Sequence, residues 1–456
     1  MANPLDVVIL AAGKGVRMRS RIPKVLHPLA GLPLLEHVLR TASTLAPHRI
    51  VVVGPGGEEI KQAFPSRDLL FVDQGAPLEA GGAVLAARPA LSSPTFLVLP
   101  GDVPLVPEKA LQALLDFHRK RGLLASFLTM APPDPGNHGR VVRREGHVVR
   151  IIEAKGASPE ELSIREVDSG IWCLSNVARL WEVLEGVPPT GAQGEHPLTA
   201  LVEPLVETGQ VDALLWPTPE DLLGVKDRVD LARLEGVLRA RITTRLMEAG
   251  VSIPDPNAVY LSPDVQVGLD TVLHPGTHLW GSTRVGEGCE IGPGAYLIDT
   301  QVEAGVKVWF SVLEGARVEE EARIGPFAHL RPGARVGPRA RVGNFVEVKN
   351  ATLGEGVKAG HLAYIGDAEV GPRANIGAGT ITCNYDGIRK YRTEIGPGAF
   401  IGSNAALVAP VRIGEGAYVG AGSVITADVP PYALALGRAV QTIRPEWAKK
   451  RREGGK

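Results

Sequence analysis

Residues 395–425 read IGPGAFIGSNAALVAPVRIGEGAYVGAGSVI, with Ile395, Ile401, Leu407, Ile413, Val419 and Ile425 in strict six-residue register. A period of six is neither helical nor that of an ordinary strand. It is the hexapeptide signature of a parallel β-helix, whose flat faces stack so that one aliphatic column fills the interior. Upstream, Ile324, Leu330, Val336, Val342 and Val348 keep the same spacing. Leu353 comes one residue early, Ala359 and Ile365 resume the step, and Val370 and Ile376 follow a second slip. Looser spacing reaches back to Val267. The column is interrupted between Gly377 and Glu394, and that gap holds the richest polar cluster of this half.

The chain has 456 residues, too many for one ordinary core. Its formal net charge of −1 gives no general attraction to nucleic acid or to an anionic membrane. Glycine is abundant, but most of it falls at fixed phase in the repeat half, which argues against disorder. Cys173, Cys289 and Cys383 show neither metal spacing nor a disulfide framework, as in a cytoplasmic protein. Met1 to Val8 lead straight into a strand without a signal-peptide pattern. No apolar run approaches the ~18 residues of a membrane span.

The first half alternates short aliphatic runs with helical patterns. Asp6 to Leu10, Arg49 to Gly54 and Thr95 to Leu99 read as strands, while Leu35, Val38, Leu39, Ala42 and Leu45 fall on one helical face. That alternation predicts a Rossmann-like, mostly parallel α/β sheet with helices on both faces, and ligands beyond the carboxyl ends of its strands. Leu231, Leu234, Leu238, Ile242 and Leu246 recur at helical spacing before Gly250, a suitable stop. The predicted organisation is therefore an α/β domain over 1–226, a helical joint over 227–250 and a β-helix over 251–437. The tail, 438–456, contains Lys449-Lys450-Arg451-Arg452 and reads as a solvated end.

Leu10-Ala11-Ala12-Gly13-Lys14-Gly15-Val16-Arg17-Met18 follows the first strand directly. The third glycine of the dinucleotide pattern is missing, so the turn reads as a phosphate loop. Backbone N–H groups there approach an anion, Lys14 and Arg17 add charge, and Lys24 supplies a third cation. Gly101-Asp102-Val103-Pro104 places a carboxylate at the open edge of the sheet, suited to Mg²⁺. The plain alternatives are an ordinary turn and a helix-capping Asp102. LAAGKGVRM, PKVLH and GDVP together resemble sugar-1-phosphate nucleotidyltransferases. Attack of a sugar phosphate on the α-phosphorus of a nucleoside triphosphate needs charge neutralisation and alignment more than acid–base help. The resemblance assigns that work to Arg17, Lys24 and a metal on Asp102.

The repeat half resembles hexapeptide acyltransferases through HLRPG (329–333), NFVEVK (344–349), KAGHLAYIGDAE (358–369) and NIGAGTITCNYDG (375–387). With the nucleotidyltransferase half in front, nearly the whole chain is similar to the bifunctional GlmU family. Those enzymes are N-acetylglucosamine-1-phosphate uridylyltransferases and glucosamine-1-phosphate N-acetyltransferases in one. The resemblance implies a left-handed β-helix, a homotrimer whose acetylation sites lie between neighbouring subunits, and the substrates glucosamine 1-phosphate, acetyl-CoA and UTP, with Mg²⁺ for uridylyl transfer. Amine attack on a thioester needs a base, and histidine titrates nearest neutrality. His361, which interrupts a run of small and aliphatic residues, stands at the family's base position. Arg331 and Lys349 match its sugar-phosphate clamp. Tyr364 and Asn375, with Asn384 and Tyr385, match sugar contacts, and Asn384 or Glu347 is a candidate to orient His361. Ala378, Ser403, Ala421 and Arg438 match acetyl-CoA positions, and the resemblance groups Asn384 and Tyr385 with them; by chemistry alone Ala378 and Ala421 are ordinary core residues.

In the first half Leu10, Ala11, Ala12, Gly13, Lys24, Gln74, Gly139 and Glu153 match UTP- and sugar-binding positions, but several neighbours depart. Val16 replaces a threonine, and Glu79-Ala80-Gly81-Gly82-Ala83 replaces a Gly-Thr motif. Asp168 replaces a sugar-binding asparagine, and Ala200 an aspartate. Lys226 stands where the family has an asparagine that shares the Mg²⁺, and an ammonium cannot ligate a metal. Lys226 takes part of the ion's charge role, Asp227 slips in as ligand, or transfer is weak or lost. Three functions therefore stay open: the bifunctional enzyme, an acetyltransferase with a degenerate front domain, and a non-enzymatic regulator built on the same two folds. His361 with the 375–387 cluster argues against the third.

Overall fold

The structure is a computed structural model that describes residues 4–13, 15–54, 57–65, 68–75, 79–187 and 196–453. Val7, Val8 and Ile9 are fully buried, because the strand Leu5–Leu10 lies in the middle of a sheet covered on both faces. His48–Val53 and Thr95–Pro100 flank it, both parallel. Beyond His48–Val53 lies Leu69–Asp73, also parallel. On the other side Val167–Ser175 runs antiparallel between Thr95–Pro100 and Ala125–Met130, and Val211–Leu215 closes the edge. Burial on both faces explains why these strands read as continuous apolar runs rather than alternating ones. Val7, Ile9, Leu97 and Leu99 pack with the helix Leu34–Leu45 on one face, and Val8, Phe96, Val98 and Trp172 form the core of the other. The mostly parallel α/β sheet expected from the sequence is present.

The chain divides into two compact units, 1–238 and 239–456, and the division falls inside the helix Arg228–Glu248. Gly250 follows that helix with a φ of 92°, a left-handed stop that glycine takes without strain.

The second unit is a left-handed parallel β-helix whose short strands stack into three sheets of ten, nine and ten strands. Ile324, Leu330, Val336, Val342, Val348, Leu353, Ala359 and Ile365 are all essentially buried, as the single interior column requires. The slips have a simple cause. Asn350 and Asp367 sit at tight corners with φ of 45° and 46°, and each such corner is one residue shorter than its counterparts. Arg323 therefore pairs with Arg341, but Arg341 with Lys358, the second coil shorter by one residue. Shorter corners also account for the loose spacing before Ile324, since Leu297, Val302, Val308, Leu313 and Val318 are buried in the same column.

Candidate active sites

The root of the phosphate loop is held by its neighbours: the Ala11 N–H donates to the Val52 carbonyl (2.8 Å) and the Gly101 N–H to the Leu10 carbonyl (2.9 Å). Ala12 and the exposed Gly13 continue from there, whereas Lys14 lies outside the described residues. At Gly15, φ is 57° and an added Cβ would stand 2.7 Å from Cβ of Lys24, so glycine lets Lys24 lie against the loop. Lys24 forms an ion pair with Asp102, both side chains largely shielded from solvent. Arg17 projects from the short turn Val16–Met18, which the buried Met18 anchors. Gln74 is buried beyond the end of His48–Val53; its Nε2 donates to the Glu79 carbonyl (3.1 Å).

Gly139, Glu153 and Asp168 converge at one spot. The Asp168 N–H donates to the Gly139 carbonyl (3.0 Å), Oδ1 of Asp168 accepts from the Gly170 N–H (3.0 Å), and Glu153 accepts from the Thr199 hydroxyl (3.4 Å). Burial pushes the Asp168 carboxyl up to about 7, and the Glu153 charge adds to the effect. A neutral carboxyl presents one donor and one acceptor, as the amide of an asparagine does.

A cleft of about 290 Å³ is lined by Arg17, Asp134, His138, Lys226, Asp230 and Arg233 among others. The Val225 N–H donates to the Asp102 carbonyl (2.9 Å), which sets Lys226 beside that strand end. Burial, then the Lys226 charge, pushes His138 down to about 4, so its ring is neutral at physiological pH. Oδ1 of Asp227 caps the helix Arg228–Glu248 by accepting from the N–H groups of Val229 (2.8 Å) and Asp230 (3.0 Å). Those two bonds hold its carboxyl below the usual range. As a metal centre the set is thin. Asp102 is engaged by Lys24, Asp227 caps a helix, Lys226 has no lone pair to give, and the described residues contain no cluster of three or more metal-ligating side chains. A resident Mg²⁺ held by the protein does not fit; a divalent ion carried by substrate phosphates needs only the one carboxylate.

In the second unit His361 ends the strand Lys358–His361, exposed at a corner, with Asn344 as its ladder partner. The registers Ala359–Ile376, Ile376–Ile401 and Ile401–Val419 carry this position, two residues on, through Ala378, Ser403 and Ala421. These four residues form one stripe along successive coils. Stacking there demands glycine: a Cβ on Gly377 would meet the Ser403 nitrogen at 2.6 Å, and one on Gly402 the Ala421 nitrogen at 2.5 Å. Arg438 follows Gly437, whose carbonyl accepts from Val424, at the exposed end of the coil.

At the far corner of the neighbouring sheet Arg331 stacks on Lys349, through the pairing of Leu330 with Val348. Nη1 of Arg331 donates to Glu347 (2.8 Å). The polar interruption, 384–391, is a hairpin from this corner: the Tyr391 N–H donates to the Asn384 carbonyl (2.8 Å), and Tyr385 pairs with Lys390. It folds Asn384 back so that its amide donates to Asp367 and the Tyr364 hydroxyl, while Asn350 also donates to Asp367. It also brings Lys390 to Lys349. Lys390, by hydrogen bond and by charge, and then Arg331, hold Lys349 below the usual lysine value. Three cations thus crowd one corner, an arrangement that favours a bound anion. Tyr385 is exposed, its hydroxyl donating to the Gly387 carbonyl (2.6 Å). Asn375 starts a strand of the other sheet, paired with Lys358, away from Tyr364 and the three cations. Among the described residues no hydrogen bond joins His361 to Glu347 or Asn384; Glu347 pairs with Arg331, and the Asn384 amide with Asp367 and Tyr364. Lys390 was missed by the sequence reading; the signal for it was the gap in the column, which returns a basic residue to the corner it leaves.

Two family profiles match: the MobA-like NTP transferase domain over residues 7–163, and the bacterial transferase hexapeptide (six repeats) over 315–350 and 392–427. Among curated proteins, the bifunctional protein GlmU of Brevibacillus brevis is 44% identical, with 100% of this chain and 99% of the relative covered. The bifunctional protein GlmU of Thermus thermophilus is 48% identical over 95% of this chain and 96% of the relative, and that of Acinetobacter baumannii 44% over 97% and 98%.

Proposed function

This chain belongs to the bifunctional GlmU family, and on that premise we propose how its two units make UDP-N-acetylglucosamine. On the β-helix, the amine of glucosamine 1-phosphate attacks the thioester carbon of acetyl-CoA. The C–N bond forms, the C–S bond breaks, His361 takes the amine proton and returns it to the departing thiolate. Arg331, Lys349 and Lys390 hold the sugar phosphate, with Tyr364 and Asn375 on the sugar. The stripe Ala378, Ser403 and Ala421, with Arg438, Asn384 and Tyr385, receives acetyl-CoA. In the α/β unit, a phosphate oxygen of N-acetylglucosamine 1-phosphate attacks the α-phosphorus of UTP and pyrophosphate leaves. Arg17 and Lys24 neutralise the phosphates. Leu10 to Gly13 and Gln74 bind the nucleotide, and Gly139, Glu153 and Asp168 the sugar. A Mg²⁺ arriving on the triphosphate would meet Asp102 and supply further charge neutralisation. The enzyme works in the cytoplasm as a homotrimer. Asn375 and the cation corner lie on different faces of one coil, so a site using both draws on a neighbouring copy.

The observation that carries this reading is the single stripe linking His361 to Ala378, Ser403 and Ala421. A scaffold needs the buried column but not a base heading a row of small residues outside it. The test is two assays on the purified chain: thiol release from acetyl-CoA with glucosamine 1-phosphate, and pyrophosphate release from UTP with N-acetylglucosamine 1-phosphate and Mg²⁺. Both products are expected. Thiol release alone would leave an acetyltransferase with a degenerate front unit.

A further inference from the structure

Lys226 is the residue of the α/β unit whose placement the family reaction leaves unexplained. Its backbone is fixed on several sides: the Val225 N–H is bonded to the Asp102 carbonyl (2.9 Å), its own N–H donates to Oδ2 of Asp230 (2.9 Å), and Asp227 caps the helix that follows. The ammonium is therefore delivered to a defined place in the cleft it shares with Arg17. It is half-buried, and among the described residues no carboxylate lies within ion-pair distance of it or of Arg17. Asp102, on the adjoining strand end, already has its charge matched by Lys24. Among the described residues Arg17 and Lys226 thus face the cleft without an ion-pair partner, while the carboxylates that line it, Asp134, Asp227 and Asp230, each accept from backbone N–H groups. A polyphosphate placed there meets two cations free to bond it, whereas the carboxylates that would take a divalent ion are already bonded to backbone N–H groups.

We propose that Lys226 is a phosphate-binding residue of the nucleotide site, contacting the triphosphate directly, so that this enzyme binds UTP without a divalent cation. The inference rests on the uridylyltransferase reading above. A partly desolvated ammonium is a strong donor to phosphate oxygens, and its loss is expected to weaken binding by about tenfold or more.

The test is calorimetric titration of UTP into the full chain, once in EDTA and once in saturating Mg²⁺, for the wild type, Lys226→Asn and Lys226→Ala. The wild type is expected to bind UTP in EDTA with a Kd within about fivefold of its Mg²⁺ value. Both variants should weaken binding in EDTA about tenfold or more, and Lys226→Asn should regain most of the loss when Mg²⁺ is added. Matching thermal transitions would exclude misfolding as the cause. Wild-type binding that requires Mg²⁺, or variants that bind like the wild type in EDTA, overturns the inference while leaving the uridylyl reading intact. A wild type that binds no UTP in either buffer removes that reading and the inference together.

Discussion

His361 owes its candidacy to position as much as to chemistry. It is exposed, no side chain among the described residues hydrogen-bonds it, and it heads the stripe proposed to receive acetyl-CoA. His361→Ala is expected to lower acetyl transfer by about 10²–10⁴-fold, the usual cost of a lost general base. Pyrophosphate release should stay unchanged, since that chemistry lies in the other compact unit. Near-normal acetylation by the variant excludes His361 as the base. Asp168 makes a different argument, through pH. Its carboxyl is raised to about 7 by burial, with Glu153 adding to the shift and His138 bonded to its carbonyl (3.3 Å). A raised acid is neutral below that value and charged above it, so any stability it contributes is present at low pH and is lost as pH rises through about 7. The cost grows by at most about 1.4 kcal/mol per pH unit between the ordinary carboxylate range and about 7, and is constant above that. The melting advantage of Asp168→Asn over the wild type should therefore be larger at pH ~8 than at pH ~4. It should also flatten the alkaline rise in KM for N-acetylglucosamine 1-phosphate. Parallel melting profiles at both pH values would show that Asp168 is already ionised when folded.

Among the elements, the corner and its hairpin carry the proposed sugar-phosphate clamp. Arg331 and Lys349 come from adjacent coils, and the 384–391 hairpin adds Lys390. Arg331→Ala, Lys349→Ala and Lys390→Ala are each expected to raise the KM for glucosamine 1-phosphate about tenfold or more, with little change for acetyl-CoA. A change confined to acetyl-CoA would give this corner to the other ligand. The strands, the helices and the aliphatic column were legible in the sequence because burial imposes a period on them. His361 was legible because it interrupts a run of small and aliphatic residues. Lys390 and Asp367 were not, since a hairpin that leaves and re-enters one corner has no period to read, and its register follows from hydrogen bonds to Asn384 and Asp386. The short corners at Asn350 and Asp367 read as irregularity for a related reason: one residue fewer at a turn shifts the spacing but leaves the interior column filled. Lys226 showed the opposite limit. The sequence marked its identity as anomalous, but only the bonds around Val225, Asp227 and Asp230 show that its ammonium is held in a cleft with Arg17.

At the scale of the molecule, one β-helix leaves a surface unfinished. Phe310, Phe327 and Phe345 stack at successive coils of the corner that His361 borders, with centroids 5.8 and 5.5 Å apart. Leu362 occupies the same corner one coil on, its N–H bonded to the Asn344 carbonyl (2.8 Å). These four side chains are 47, 53, 60 and 60% exposed, an apolar row that a solvated monomer has no reason to keep. A second copy covering it would exclude water beside His361 and bring another face to the acetylation site, which fits the spread of site residues over two faces. Phe327→Glu tests this without disturbing the interior column, because the ring lies outside it. The variant is expected to sediment as a smaller species than the wild type. Acetyl transfer should fall about 100-fold or more, by the loss of pre-organised groups supplied by a neighbour, while pyrophosphate release stays within about twofold. If the mass and the acetyl transfer are both unchanged, this row is not the contact between copies, and the site is complete within one chain or completed by another face.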